Sequence, residues 1–127
     1  MNKYIKHKII HFDDYPTHVY ELIIDNVSVG SIEQRIPNLP QSKKGAIYRQ
    51  ITYLNVKEQF QGKGFGRELV EFFEKKARDQ GESWIEVNSS KSAETFYQHM
   101  GFVKTPSGIF GKLLRKIGID SQFYKAI

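Results

Sequence analysis

The chain has 127 residues, 39% hydrophobic and 13% aromatic, which suits one domain with a buried core and excludes a disordered ground state. It contains no cysteine, so disulfide scaffolds, thiolate metal sites, iron–sulfur clusters and cysteine nucleophiles are all excluded. The net charge is +5, and residues 104–127 hold five basic side chains against one acidic, an excess that favours an anionic ligand or partner but is too small to indicate nucleic-acid binding.

Lys3, Lys6 and Lys8 interrupt the apolar residues of the first ten positions, and no run approaches the roughly 18 apolar residues of a membrane span. A single soluble, cytoplasmic domain over residues 1–127, without membrane contact, is therefore expected. Residues 4–12 read as a strand. Residues 20–24 and 27–32 flank Asp25-Asn26, and two runs of β-formers around two residues that tolerate positive φ predict a hairpin. Residues 37–45, with two prolines, Lys43, Lys44 and Gly45, predict a loop. Residues 46–56 return to strand composition.

Next come Gly62, Gly64 and Gly66, and then the clearest helix of the chain. Phe65, Leu69, Phe72, Phe73 and Ala77 recur near a 3.6-residue period on one face, while Glu71 with Lys75 and Glu74 with Arg78 pair on the other. Gly81 is its natural stop. A short strand follows over residues 84–87, then a helix over 93–100 that Ser90 or Ser92 can cap and Gly101 ends. Residues 102–104 predict another strand and residues 122–127 the last. Between them Phe110, Leu113, Leu114 and Ile117 sit at i, i+3, i+4 and i+7, which predicts a short amphipathic helix packing its apolar stripe on the sheet. Lys112, Arg115 and Lys116 line its polar side, where they could instead meet an anionic partner, a phosphate or a membrane surface.

Strand, Gln61-Gly62-Lys63-Gly64-Phe65-Gly66, then helix is an arrangement suited to phosphate oxygens. Glycines let the backbone approach closely, and the free N–H groups of the first helical turn carry the positive end of the helix dipole. A tight turn that binds nothing would use the same residues. A Walker loop is excluded, because Lys63 is followed by Gly64 rather than Ser or Thr. A dinucleotide fingerprint lacks its last glycine, Arg67 standing there, and about sixty residues of hairpin-like sequence precede it, despite Glu86 about twenty residues downstream.

The segment from Val56 to Gly66 resembles the acetyl-CoA-binding motif of the GCN5-related N-acetyltransferases, Gln or Arg, x, x, Gly, x, Gly or Ala, matched by Gln61, Gly64 and Gly66. The run Ala93-Glu94-Thr95-Phe96-Tyr97-Gln98-His99-Met100-Gly101-Phe102 is similar to that family's A-x-x-F-Y-x-x-x-G-F signature. Two motifs in order, with a strand between them, are far more specific than either alone. The resemblance covers residues 54–102.

It implies an α/β fold with a central mixed, mainly antiparallel sheet of six or seven strands, helices on both faces, and N-terminal helices reduced or absent. It implies acetyl transfer from acetyl-CoA, as co-substrate, to a primary amine in a ternary complex without a metal. Leu54 and Val56 would pair with the pantetheine arm, with Asn55 beside them, and the Leu54 N–H would polarise the thioester carbonyl. The backbone of Gln61, Gly62, Lys63, Gly64, Phe65, Gly66 and Arg67 would cradle the pyrophosphate. Ser90, Ala93 and Phe96 would touch the cofactor, and Tyr97 would meet the departing sulfur.

An acceptor amine of pKa about 10.4 costs about 4.6 kcal/mol to deprotonate at pH 7, so a proton acceptor is expected. The position where protein-lysine acetyltransferases of the family keep a glutamate is Gln50. Glu33 and Glu86 read as solvated strand carboxylates, and no base is assigned. Ser90 replaces a frequent asparagine. Residues 11–17 leave room for a turn or a very short helix where the family inserts two helices, so the acceptor cleft is more open or is completed by residues 37–45, by residues 108–118 or by a second subunit. His7, His11, His18 and His99 are scattered, which argues against a metal site. The other reading of the chain is a non-catalytic module of the same fold that binds a macromolecule through its basic C-terminal region.

Overall fold

The computed structural model describes residues 1–11, 16–35 and 50–127. Strands β1 (Lys3–His11), β2 (Pro16–Ile24) and β3 (Val27–Arg35) form an antiparallel meander, with β1 and β2 paired from Lys3↔Ile24 to His11↔Pro16. At the predicted hairpin, Asp25 and Asn26 have φ of 49° and 67°, the conformation whose twist suits a two-residue link. β2 starts at Pro16, so Pro16 and Thr17 are strand rather than the turn or short helix expected there. Because His11 faces Pro16, no helix-length segment separates the first two strands. The loop expected over 37–45 and the strand residues expected over 46–49 lie outside the described residues.

The next strand comes in two pieces, β4 (Gln50–Ile51) and β5 (Tyr53–Val56), broken at Thr52. Thr52 is pinned to β3: its N–H and its hydroxyl both donate to the Glu33 carbonyl at 2.9 and 3.0 Å, and the hydroxyl accepts the Arg35 N–H at 3.0 Å. Beyond it, β5 stays antiparallel to β3, from Glu33↔Tyr53 to Gly30↔Val56. Before it, β4 runs parallel to β6 (Trp84–Val87), pairing Gln50↔Glu86 and Ile51↔Val87. With β7 (Val103–Lys104) and β8 (Phe123–Ala126), the strands make two four-stranded sheets, β1-β2-β3-β5 and β4-β6-β8-β7, all antiparallel except β4 with β6. Counting β4 and β5 as one interrupted strand gives seven strands among the described residues, in a mixed, mainly antiparallel α/β fold.

Helix α1 (Phe65–Asp79) buries Leu69, Val70, Phe73 and Ala77 in a core shared with Leu22, Ile32, Ile51, Ile85 and Phe123. Each such side chain taken fully from water contributes about 1.5–3 kcal/mol. On its outer side Arg78 pairs with Glu74 as expected (3.4 Å), but Lys75 reaches Asp79 (2.7 Å) rather than Glu71, which faces Arg67 (3.8 Å). Glu74 also accepts from Lys125 of β8, placing α1 on that face of the second sheet.

Helix α2 (Glu94–His99) follows a 3-10 turn, Lys91–Ala93. The expected serine cap is not formed. Neither helix start has a side-chain cap; the Ser90 carbonyl accepts the Ala93 N–H instead, and the Ser90 and Ser92 hydroxyls lie 3.3 Å apart. Helix α3 (Gly108–Lys116) exists as predicted, but its apolar stripe does not pack on the sheet. Of the predicted stripe Phe110, Leu113 and Ile117 are 72%, 51% and 59% exposed and Leu114 is half-buried, while Ile109, outside that stripe, is 76% exposed. The buried residue of α3 is Gly111, whose backbone lies so close to the Pro106 carbonyl that a Cβ there would overlap it. All three helices end in one hydrogen-bonded motif, in which Glu82, Phe102 and Ile119 donate to Ala77, Tyr97 and Leu114 and close the last turn.

Candidate functional site

The break at Thr52 creates the site. β5 ends the first sheet and β4 the second although they are consecutive in the chain, so a slot opens between β5 and the segment after β6. The Lys57 N–H donates to the Val29 carbonyl at 3.0 Å, which sets the phase of the ladder. Hydrogen-bonding residues alternate along an antiparallel strand. Tyr53 and Asn55 therefore turn their backbone groups to β3, and Leu54 and Val56 turn theirs to the slot.

Two adjoining cavities occupy it. A cavity of 190 Å³ lies between Thr52, Tyr53 and Leu54 on one side and Asn88, Ser89 and Ser90 on the other, with Ile51, Val87, Ala93 and Tyr97 lining it too. A larger cleft of 640 Å³ continues past Leu54, Asn55 and Val56 to Gln61, Gly62, Gly64, Phe65, Gly66 and Arg67, closed on its far side by Ala93 and Phe96. Leu54 and Ala93 line both cavities, so the two adjoin, and together they make the channel lining from the strand break to the glycine loop.

The loop is built by backbone geometry. Gly62 and Gly64 have φ of 77° and 86°, and an added Cβ at either would meet open space. Gly66 differs: an added Cβ there would meet the Phe96 ring of α2 at 3.4 Å, an ordinary van der Waals contact, so the position has room for a small side chain. The first intrahelical bond of α1 runs from the Glu68 N–H to the Gly64 carbonyl (3.0 Å), so the N–H groups of Phe65, Gly66 and Arg67 precede it and face the cleft. Gln61 donates its side-chain amide to the Val56 carbonyl at 2.9 Å, tying the loop to the end of β5.

Of the residues singled out from the sequence, Leu54, Asn55, Val56, Gln61, Gly62, Gly64, Phe65, Gly66, Arg67, Ser90, Ala93, Phe96 and Tyr97 all line the channel. Lys63 does not; it is exposed outside the lining. Tyr97 is buried edge-on between Phe96 and Phe102, and this burial pushes its phenol up to about 12. Phe60, Ser92, His99 and Met100 in the cleft, and Thr52, Tyr53 and Asn88 around the smaller cavity, were not singled out. Strand alternation could have found Thr52, two residues before Leu54, and adjacency to Leu54 could have found Tyr53; nothing in the sequence marks Asn88.

Both carboxylates read as solvated are partly or wholly desolvated. Glu86 is buried, with its oxygens taken by the Trp84 indole N–H (3.0 Å) and the N–H groups of Asp120 (2.9 Å) and Ser121 (3.1 Å). It fastens the segment after α3 to β6 and does not line the channel. Glu33 is half-buried beside Tyr53, and desolvation raises its pKa against the opposing charge of Lys8. Gln50 donates to the Ser121 hydroxyl at 3.3 Å, and Asn88 accepts the Gln122 N–H at 2.9 Å, so the chain leaving α3 borders the smaller cavity. The histidines are less scattered than their spacing implies: His7 Nε2 and His18 Nδ1 meet at 2.8 Å across β1 and β2, stacked beside Tyr20.

A family model described as an acetyltransferase (GNAT) domain matches residues 3–115. Among solved structures, Tetrahymena GCN5 superposes with a TM-score of 0.64 at 17% identity, over 91% of this chain and 71% of that one. The PaiA N-acetyltransferase of Thermoplasma acidophilum, in complex with coenzyme A, gives 0.60 at 18% identity, over 90% and 62%. A GNAT family acetyltransferase from Elizabethkingia anophelis with acetyl-CoA bound gives 0.58 at 19% identity, over 87% and 76%. Identities this low speak for the fold, and the chain spans less than two thirds of the second protein's length. No curated protein sequence matches the chain.

Proposed function

Since the chain belongs to the GNAT acetyltransferase family, we propose that it transfers an acetyl group from acetyl-CoA directly to a primary amine of an acceptor molecule. The observation that carries this reading is the slot itself: an internal strand edge that turns the Leu54 backbone and the Val56 N–H toward the cleft, running from Tyr97 to a glycine loop at a helix N-terminus. The residues present fit the co-substrate. Leu54 offers its N–H and carbonyl and Val56 its N–H to an extended amide chain, the Val56 carbonyl being held by Gln61, and the N–H groups around Gly64 offer donors to a diphosphate. Acetyl-CoA supplies the acetyl group activated as a thioester.

Within that arrangement the Leu54 N–H points at the place where a thioester carbonyl gains negative charge, and a donor so placed lowers the barrier by about 2.7–4 kcal/mol in comparable acyl transfers. Tyr97, with its phenol at about 12, keeps its proton through the neutral range. A thiol ionises near 8.5, so a thiolate cannot take that proton outright. Tyr97 therefore steadies the sulfur's charge by donating a hydrogen bond. Gln50, committed to Ser121, cannot collect the amine proton.

Titration calorimetry with acetyl-CoA tests this. The wild-type protein should bind, and Gly64→Asp should lose at least about a hundredfold in affinity, because its charge stands at the anion position and its side chain strains the backbone at φ 86°, with circular dichroism showing that the variant still folds. Tyr97→Phe should bind acetyl-CoA as the wild type does and lose about 10–100-fold in turnover, the worth of a hydrogen bond to a charged group. No acetyl-CoA binding by the wild type would sink the proposal. Binding without turnover of any amine would point to a non-catalytic module.

A further inference from the structure

The face of α3 is the largest feature of the molecule that the acyl-transfer reading leaves unused. At 100° per residue Ile109, Leu113, Ile117 and Phe110 fall within one arc, and Gly111, by which the helix leans on Pro106, lies on the far side. The apolar stripe thus points straight away from the fold. Val103, on the neighbouring edge strand β7, is half exposed as well, so five of the ten large hydrophobic side chains exposed among the described residues fall between positions 103 and 117. The same stretch carries Lys104, Lys112, Arg115 and Lys116 and no acidic residue. Lys112 and Lys116 fall on one flank of the stripe, with Arg115 beyond them. Apolar exposure and the chain's positive excess therefore coincide in one place.

We infer that α3 docks the protein peripherally on an anionic lipid surface, with Phe110 and Leu113 at the level of the acyl chains and Lys112, Arg115 and Lys116 at the headgroups. Two alternatives fit the charges less well. In an antiparallel two-fold pairing of α3 with a second copy, the basic flanks would fall on the same side and repel, with no acidic residue on either helix to offset them. A protein groove would need an acidic wall on one flank only, whereas a lipid surface accepts an outward ridge of any register and attracts each cation beside it. No helix among the described residues is long and apolar enough to cross a membrane, so attachment is by the surface of the bilayer alone.

Vesicle flotation tests the inference with the full chain. Vesicles of phosphatidylcholine with about one-third phosphatidylglycerol should carry the protein, pure phosphatidylcholine vesicles should carry about tenfold less, and raising the salt should weaken binding. Phe110→Asp with Leu113→Asp, and separately Lys112→Glu with Arg115→Glu and Lys116→Glu, should each abolish flotation while circular dichroism and acetyl-CoA affinity stay as in the wild type. Failure of the wild type to bind anionic vesicles overturns the proposal, as does equal binding by both variants or equal binding to neutral vesicles. A wild-type dimer that Phe110→Asp with Leu113→Asp makes monomeric, without any lipid dependence, overturns it in favour of a second copy.

Discussion

Helices α1 and α3 are built to the same plan and used in opposite ways. Each has an apolar stripe on one face, basic residues in its last turn and the same closing hydrogen bond. α1 lays its stripe on the sheet and buries Phe73 among Leu22, Ile85 and Phe123, whereas α3 leans on the chain by a glycine and leaves Phe110 in solvent. Periodicity states which face of a helix is apolar. Whether a sheet face is free to receive it depends on what already covers that face, and at β6 the segment after α3 is there already, with Ile119 and Ser121 buried and Ser121 held by Glu86.

The sharpest test of the contrast is truncation at the matching aromatic. Phe73→Ala should cost about 3–5 kcal/mol in chemical denaturation, because it opens a cavity in the core. Next comes Gly111→Ala, whose new methyl must displace Pro106 or tilt α3 and should cost about 1–3 kcal/mol by the same measurement. Phe110→Ala should fall within about 0.5 kcal/mol of the wild type. If Phe110→Ala destabilised the protein as much as Phe73→Ala, the two helices would not differ as described.

A pH effect marks the α1 side alone. His18 has its pKa lowered by burial first, then by His7, Lys76 of α1 and His11. A group whose folded pKa is depressed contributes stability that is complete above the unfolded value, 6.5 here, and is lost as pH falls through the folded one. Stability should therefore decline from about pH 6.5 downward, and His18→Gln should flatten that part of the profile. His18 is only partly buried, so the effect is the smallest of the four and appears as a slope between denaturation curves taken at a series of pH values.

Much of this was legible in the letters for reasons that can be named. Asp25-Asn26 announced the hairpin through its tolerance of positive φ, and Gly62, Gly64 and Gly66 announced the loop. Leu69, Phe73 and Ala77 announced α1 through their period. The break at Thr52 was not legible, because it depends on three hydrogen bonds to β3, a partner about twenty residues away in sequence. Glu86 read as solvated for the same reason: its donors at Asp120 and Ser121 come from a segment more than thirty residues further on. The unformed cap at Ser90 shows that a residue able to make a local bond need not make it when the 3-10 turn before α2 supplies another.

Unpaired strand edges are ordinarily a hazard on the rim of a protein, where they invite pairing with other chains. Thr52 moves one such edge into the interior. The free side of β5 is recessed between the first sheet and Asn88, Ser89 and Ser90, in a cavity of 190 Å³. One threonine thus turns a pairing edge that would otherwise sit on the rim into the wall of a cleft.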